Sequence, residues 1–314
     1  MRTGDKKTTW ARKLGWAAEY MAAMAGVGVF HLMPFTWAVR LGGLLGSLWY
    51  YVDQRHRTVT LDNLKLAFTG KSPEELEKIA KRAYRNLGYS AAEFIRSNRY
   101  GEHPIEAYVE FVNYDSFVRA HAKGKGVLFV TGHFGSWELM AMAHAYSGNP
   151  SSAVVRPLDN PYLDRMVTRL RTRCGNSMIN KSRGMREILR ALDKGRGVGI
   201  LLDQNVAKRE GVFVDFFGRP ACTNKGLAII ARKTQAPVVP TFIVRKSLTR
   251  HKYVFGDEIP LIDTGDKDAD ILENTQAYTR AIEDMVRKHP DHWFWMHRRW
   301  KTRPDDERER YTAR

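Results

Sequence analysis

From residue 126 the chain repeats one pattern: a short apolar run, a break, then a longer stretch of helical periodicity. The apolar runs at 126–130, 153–155, 197–202, 238–244 and 253–255 read as strands. The stretches at about 136–147, 160–173, 183–194, 224–235 and 270–288 read as helices, with Asn160-Pro161 and Asn224 as N-terminal signals. Neighbouring parallel strands need a crossover of about this length. The alternation therefore predicts an α/β fold: a mixed, mostly parallel sheet flanked by helices. Ligands in such sheets gather beyond the carboxyl ends of the strands. His133, Arg156 and Asp203 each follow directly on an apolar run, so they are expected on one side of the sheet.

The run 127–131 breaks at Gly132 and resumes with residues that suit a helix. His133 sits at the break and Glu138 five positions later. Five residues of regular helix turn through about 500°, so the two side chains share no helical face. They meet only if His133 precedes the helix and Glu138 lies in its first turns. That places an imidazole at a strand-to-helix turn with an acid behind it, a general base and its orienting partner. The spacing alone is a weak signal in a chain with ten histidines, and a structural histidine is the alternative. Arg156-Pro157 offers a guanidinium fork for a phosphate or carboxylate, against the plainer reading of a surface arginine. Asp203-Gln204 precedes the polar loop Lys208-Arg209-Glu210-Gly211. The phenylalanines of 212–220 cluster about a turn; core is the reading their spacing favours, and the lining of an apolar channel is the alternative.

The N-terminal part has a different character. Residues 1–13 are basic, with Arg2, Lys6, Lys7, Arg12 and Lys13. Residues 21–39 carry no Asp, Glu, Lys or Arg; after Arg40, neither do residues 41–52. The first run would span about 28 Å as a helix, just enough to cross a bilayer. It also contains His31 and Pro34, and basic groups flank both ends, so charge sets no clear orientation. Glu19 argues against a signal peptide. The expectation is a membrane-associated helical segment, as a single span or a tilted interfacial helix. The alternative is a pair of buried helices separated at Pro34. Residues 72–97 form the clearest helix, opened by the capping box Ser72-Pro73-Glu74-Glu75. The organisation read from this is a membrane-anchoring segment at 1–53, an α/β domain at 54–304 and a charged tail at 305–314.

The formal net charge of +17 favours an anionic partner: nucleic acid, anionic lipid, or an acidic protein or substrate. Cys174 and Cys222 have neither a disulfide framework nor metal-ligand spacing, which fits a reducing compartment. No phosphate-cradling glycine loop and no nucleic-acid-binding signature appears, and no metal or cofactor is expected. The segment 292–301 mixes three tryptophans with basic groups, a composition that suits a membrane headgroup region or base stacking.

Together these motifs resemble the late acyltransferases of lipid A (lipopolysaccharide) biosynthesis, the lauroyl/myristoyl acyltransferase family of Gram-negative bacteria. The likeness runs from about Trp16 to Pro304. It rests on Arg55-x-Arg57, Asn63-Leu64 with Phe68, the His-x4-Glu motif in Thr131-Gly132-His133-Phe134-Gly135-Ser136-Trp137-Glu138, and Val155-Arg156-Pro157 with Asp159-Asn160-Pro161. It continues through Leu202-Asp203-Gln204, Gly211-Val212-Phe213-Val214 with Phe216-Phe217-Gly218, Pro237-Val238-Val239-Pro240 and His297-Arg298-Arg299-Trp300-Lys301. Val155 stands where a tyrosine is common, and Asp215 where a proline is common.

The resemblance implies an enzyme on the cytoplasmic face of the inner membrane. It would move a fatty acyl group from acyl carrier protein to a hydroxyl of an anionic glycolipid, a lipid A precursor, without a cofactor or a specific nucleic acid. His133 would be the general base and Glu138 would hold its tautomer. Backbone N–H groups at the helix start after His133 would serve the oxyanion. Arg156, Asp203 and Gln204 would bind substrate, with Arg156 on a phosphate and Asp203 fixing Arg156 or a sugar hydroxyl. Rival readings are an acyltransferase of the same fold acting on a glycerophospholipid, an ornithine lipid or a glycosylated inositol lipid, a non-catalytic scaffold that binds anionic membranes, and a nucleic-acid binder suggested by the charge.

Overall fold

The computed structural model describes residues 9–180 and 184–304. Arg2, Lys6, Lys7, residue 183 of one expected helix and the tail 305–314 lie outside the described residues. Among the described residues there are nine strands: β1 (Val109–Val112), β2 (Val127–Thr131), β3 (Ser152–Val155), β4 (Ser177–Asn180), β5 (Gly197–Leu201), β6 (Gly211–Asp215), β7 (Pro220–Asn224), β8 (Val238–Arg245) and β9 (His251–Phe255). Seven form one sheet in the order β1-β9-β8-β2-β5-β3-β4. Every pairing in it is parallel except β8 with β9. The expected mixed, mostly parallel sheet is thus present. β6 and β7 form a separate antiparallel hairpin.

Ten helices surround these strands: α1 (Trp10–Leu32), α2 (Phe35–Val52), α3 (Gln54–Ala67), α4 (Pro73–Ile95), α5 (Tyr114–His121), α6 (Trp137–Tyr146), α7 (Pro161–Thr172), α8 (Gly184–Asp193), α9 (Gly226–Thr234) and α10 (Lys267–Lys288). Local chemistry sets their starts. The Ser72 hydroxyl accepts from Glu75 N–H while the Glu75 carboxylate accepts from Ser72 N–H, and Pro73 opens α4. Asn160 caps α7 through Tyr162 and Leu163 N–H. α10 begins three residues earlier than expected because Asp266 accepts from Asp268 and Ala269 N–H. Asn224 closes β7, and its side chain accepts from Gly226 N–H at the head of α9.

All five residues of β2 are buried, as expected of a central strand covered on both faces. The faces alternate with period two. Leu128 and Val130 join one apolar cluster with Ile188, Leu227, Tyr278 and Ile282. Val127 and Phe129 join the other with Phe117, Leu139, Met140 and Ala143.

The expected aromatic cluster at 212–220 is the β6–β7 hairpin. Phe216 and Phe217 are buried, so the core reading holds. The Trp293, Trp295 and Trp300 side chains are buried too, with rings 5.5 Å from Phe216, 6.3 Å from Phe217 and 5.7 Å from Phe216 respectively. This corrects the expectation of a tryptophan-rich membrane or stacking surface at 292–301: the indoles belong to the interior.

The N-terminal segment breaks at Pro34 into α1 and α2. None of the described helices is long and apolar enough to cross a membrane. Nor are the two simply buried. α1 has no buried residue, and it is held by Arg96, which donates to the carbonyls of Phe30 and Met33, and by Asn160, which donates to the Trp16 carbonyl at 2.9 Å. α2 crosses α4 where Gly42 and Gly46 meet Gly88; a Cβ on Gly88 would collide with the Gly42 carbonyl oxygen. The outer face of α2 leaves Trp37, Leu44, Leu45, Leu48, Trp49 and Val52 exposed.

Candidate active site

β2 and β5 are hydrogen-bonded neighbours, and Thr131 pairs with Leu201. His133 lies two residues beyond the first strand and Asp203 two residues beyond the second. Register alone therefore sets them side by side. The His133 N–H donates to Asp203 Oδ2 at 2.7 Å, and the imidazole Nδ1 lies 2.9 Å from Oδ1. Oδ2 also accepts from the Trp293 indole N–H at 2.8 Å. Gly132 permits this closeness, since a Cβ there would stand 3.0 Å from Asp203 Oδ2. Gly135 turns the chain into α6 at φ 58°, and a Cβ there would collide with the Ile243 carbonyl oxygen.

The Asp203 side chain is 2% exposed and the His133 side chain 25%. Burial works against charge on His133, but the Asp203 carboxylate outweighs it and holds the imidazole above its ordinary value. Burial likewise opposes charge on Asp203, and His133 with the three donors holds the carboxyl well below the usual range. An acceptor-only carboxylate on Nδ1 fixes the neutral imidazole as the tautomer with its proton on Nδ1, leaving Nε2 as the acceptor. Gln204 Nε2 stands 3.5 Å from that atom. Among the described residues no hydroxyl or thiol is hydrogen-bonded to it.

Glu138 lies in the first turn of α6, as expected, but not on His133. Its carboxylate is clasped by Arg171 of α7, with Nε 2.9 Å from Oε2 and 3.1 Å from Oε1. The tautomer-holding contact expected of Glu138 belongs to Asp203. The role expected of Asp203 changes with it, because its oxygens are taken up by His133 and Trp293 rather than by Arg156. Arg156 follows β3 at the same sheet edge, 81% exposed and 3.6 Å from Asp159. The backbone N–H groups directly after His133 are committed: Phe134 donates to Gly132 and Gly135 to the His292 carbonyl. α6 itself starts at Trp137 with no side-chain cap from Ser136.

The rings of Trp137 and Phe294 flank His133 at 5.3 and 6.1 Å between centroids. Both also line a narrow apolar crevice, which continues to Leu87, Tyr84, Trp295 and Met296. Sequence reasoning placed His133 and Asp203 on one side of the sheet, since each follows an apolar run, but their pairing depends on the β2–β5 register. No spacing marks Arg171 or Trp293, which reach the site from a crossover helix and from a segment 160 residues after His133.

A carboxylate-oriented imidazole at the carboxyl edge of an open sheet, beside an apolar crevice, defines an α/β protein suited to a substrate with both a polar and a hydrocarbon part. The chain belongs to the bacterial lipid A biosynthesis acyltransferase family, which it matches over residues 6–302, and it is an acyltransferase. It is similar to the lipid A biosynthesis lauroyltransferase of Escherichia coli (strain K12), 29% identical over 298 residues that cover 93% of this chain and 95% of that protein. The lipid A biosynthesis palmitoleoyltransferase of the same organism is 27% identical with the same coverage. A phosphatidylinositol mannoside acyltransferase of Mycobacterium tuberculosis is 25% identical over 189 residues, 59% of this chain and 58% of that protein.

Proposed function

We propose that the chain transfers a fatty acyl group from the thioester of acyl carrier protein to a hydroxyl of a lipid A precursor, with His133 as general base. The observation that carries this reading is the orientation of His133: Nδ1 is bound to a buried carboxylate, while Nε2 has no protein nucleophile on it among the described residues. The attacking hydroxyl then comes from the substrate. Its oxygen adds to the thioester carbonyl as its proton passes to Nε2. The intermediate collapses, the C–S bond breaks, and the imidazolium returns the proton to the departing thiolate. An ester and a free carrier thiol result. Asp203 stabilises the imidazolium, and such base assistance is worth about 10²–10⁴-fold. Developing charge on the carbonyl oxygen is met by the uncapped first turn of α6.

The other site residues take supporting parts. Glu138, held by Arg171, adds negative charge near the imidazolium. Exposed Arg156 meets a phosphate of the glycolipid, and Gln204 steers the incoming hydroxyl. The crevice beside Trp137 and Phe294 receives hydrocarbon. The exposed apolar faces of α1 and α2 seat the protein in the cytoplasmic face of the inner membrane as interfacial helices, and the basic surface suits both an acidic carrier and an anionic lipid. The mannoside relatives favour a second reading, in which the acceptor is another glycolipid.

The test is product analysis with purified protein, a panel of acyl-carrier thioesters and both acceptors, beside His133→Ala. The expected outcome is a new ester on the lipid A precursor, lost by more than about 10²-fold in the variant. Full activity of the folded variant would remove His133 from the reaction. Acylation of the mannoside alone would transfer the same chemistry to the second acceptor.

A further inference from the structure

The segment that follows α10 is joined to the turn that carries His133 by two backbone hydrogen bonds. The Gly135 N–H donates to the His292 carbonyl at 2.7 Å, and the Phe294 N–H donates to the His133 carbonyl at 3.0 Å. Phe134 and Trp293 form an antiparallel bridge between these bonds. From that bridge the Trp293 indole N–H reaches Asp203 Oδ2 at 2.8 Å. One residue thus grips both partners: its backbone runs along the turn that carries His133, and its side chain holds the carboxylate that orients the imidazole. The indole itself is fixed. It is 3% exposed, with Phe216 and Trp295 at 5.5 and 4.5 Å between ring centroids.

Consider what this donor does to a carboxylate. Asp203 receives three hydrogen bonds: one from Nδ1 on Oδ1, and one each from the His133 N–H and the indole on Oδ2. Two donors on Oδ2 fix the rotation of the carboxylate, so that Oδ1 alone faces the imidazole. They also draw negative charge toward Oδ2, away from the imidazole. A backbone amide cannot be retuned by substitution, whereas an indole can.

We propose that Trp293 is a positioning residue that sets the basicity of His133 by fixing and partly neutralising Asp203. The proposal rests on the reading of His133 as general base. The charged and titratable groups around His133 are Asp203 at the end of β5, Glu138 on α6, Arg171 on α7 and His297, which follows residues 292–294. Burial holds His297 down at about 4, so it stays neutral through the working range. Glu138 and Arg171 are paired with each other, and the Trp293 side chain donates to Asp203. A change at Trp293 therefore reaches His133 through Asp203 and the turn.

The experiment is the pH dependence of kcat and kcat/KM for acyl transfer by two variants. Trp293→Phe removes the donor and half the ring system. Replacement of Trp293 by 3-benzothienylalanine keeps the bicyclic shape and exchanges the N–H for sulfur. Without the donor, Asp203 Oδ1 regains charge and the imidazolium is favoured, so the acid limb should move up by about half to one pH unit. The plateau kcat should fall about tenfold as the carboxylate gains freedom to rotate, with little change in KM. The benzothienyl variant should keep the wild-type melting temperature. A limb that stays in place in that folded variant would overturn the proposal, as would a plateau equal to wild type. Neither result touches the general-base reading, which fails separately if His133→Ala retains activity.

Discussion

At the residue scale, the His133–Asp203 pair fixes how the site responds to pH. Base catalysis needs the neutral imidazole, and the Asp203 carboxylate holds His133 above its ordinary value of 6.5. The acid limb of activity should therefore have its midpoint above 6.5. In Asp203→Asn the charge is gone, and burial then outweighs the smaller pull of Glu138 and pushes the imidazole down. The midpoint should drop below 6.5 while the plateau falls by about 10²–10⁴-fold, because the amide no longer selects the tautomer. A pH–rate profile of the variant checks both; an unshifted midpoint would mean that the limb belongs to another group. The sign of the stability effect follows the same pair. The raised His133 contributes fully below 6.5 and loses that contribution as pH rises through its folded value, and the lowered Asp203 contributes above 3.8 and loses its contribution as pH falls through its own. The pair is fully stabilising between those two ordinary values. The chain itself made His133 legible, because a histidine at a strand-to-helix break has few structural duties. It misdirected the partner: Glu138 is near in sequence, but Asp203 is near in space, 70 residues on. At Asp215, where the resemblance favours proline, the backbone N–H donates to Gln276 at 2.6 Å, a bond that proline would delete.

At the scale of elements, parallel strands convert a difference in chain position into a constant offset. The offset of 70 runs through β2 and β5 and out to the site. Apolar runs announced both strands, whereas their adjacency depended on which crossovers the helices made, and no local pattern carries that. β1 and β4 were illegible for another reason. They sit at the two edges of the sheet, and polar residues (Glu110 in β1, Ser177 and Asn180 in β4) break their apolar runs. The α2–α4 crossing is an element-scale device of a different kind, with backbone against backbone at Gly42, Gly46 and Gly88. Gly88→Val should force the helices apart and cost about 1–3 kcal/mol of stability, the usual range for overpacking. A denaturant midpoint measured in detergent reads it, and an unchanged midpoint would mean that the crossing yields without strain.

At the scale of the whole molecule, one side is an α/β body and the other a pair of helices with apolar side chains turned outward. Leu44, Leu45 and Leu48 are between 47% and 57% exposed, on a helix whose other face is packed. Such a patch on a protein of formal charge +17 fits an anionic lipid surface. Leu45→Glu with Leu48→Glu should reduce flotation with anionic vesicles more than tenfold, since each leucine that enters the interface is worth about 1.5–3 kcal/mol. Its melting temperature should match that of the parent, because neither side chain is buried in the protein. Undiminished flotation would direct attention to α1 instead. Hydropathy located this region, but its division into two helices turned on Pro34, and the packing of α2 on the body turned on Gly42, Gly46 and Gly88.

The bridging of residues 292–294 to the turn that carries His133 also has a consequence for biogenesis. Translation delivers α1 and α2 before both strands of the register pair, and residues 292–294 after them. A nascent chain thus exposes the apolar faces of those helices long before His133 acquires its last support. On the function proposed above, the helices can meet a lipid surface while the chemistry is still unarmed.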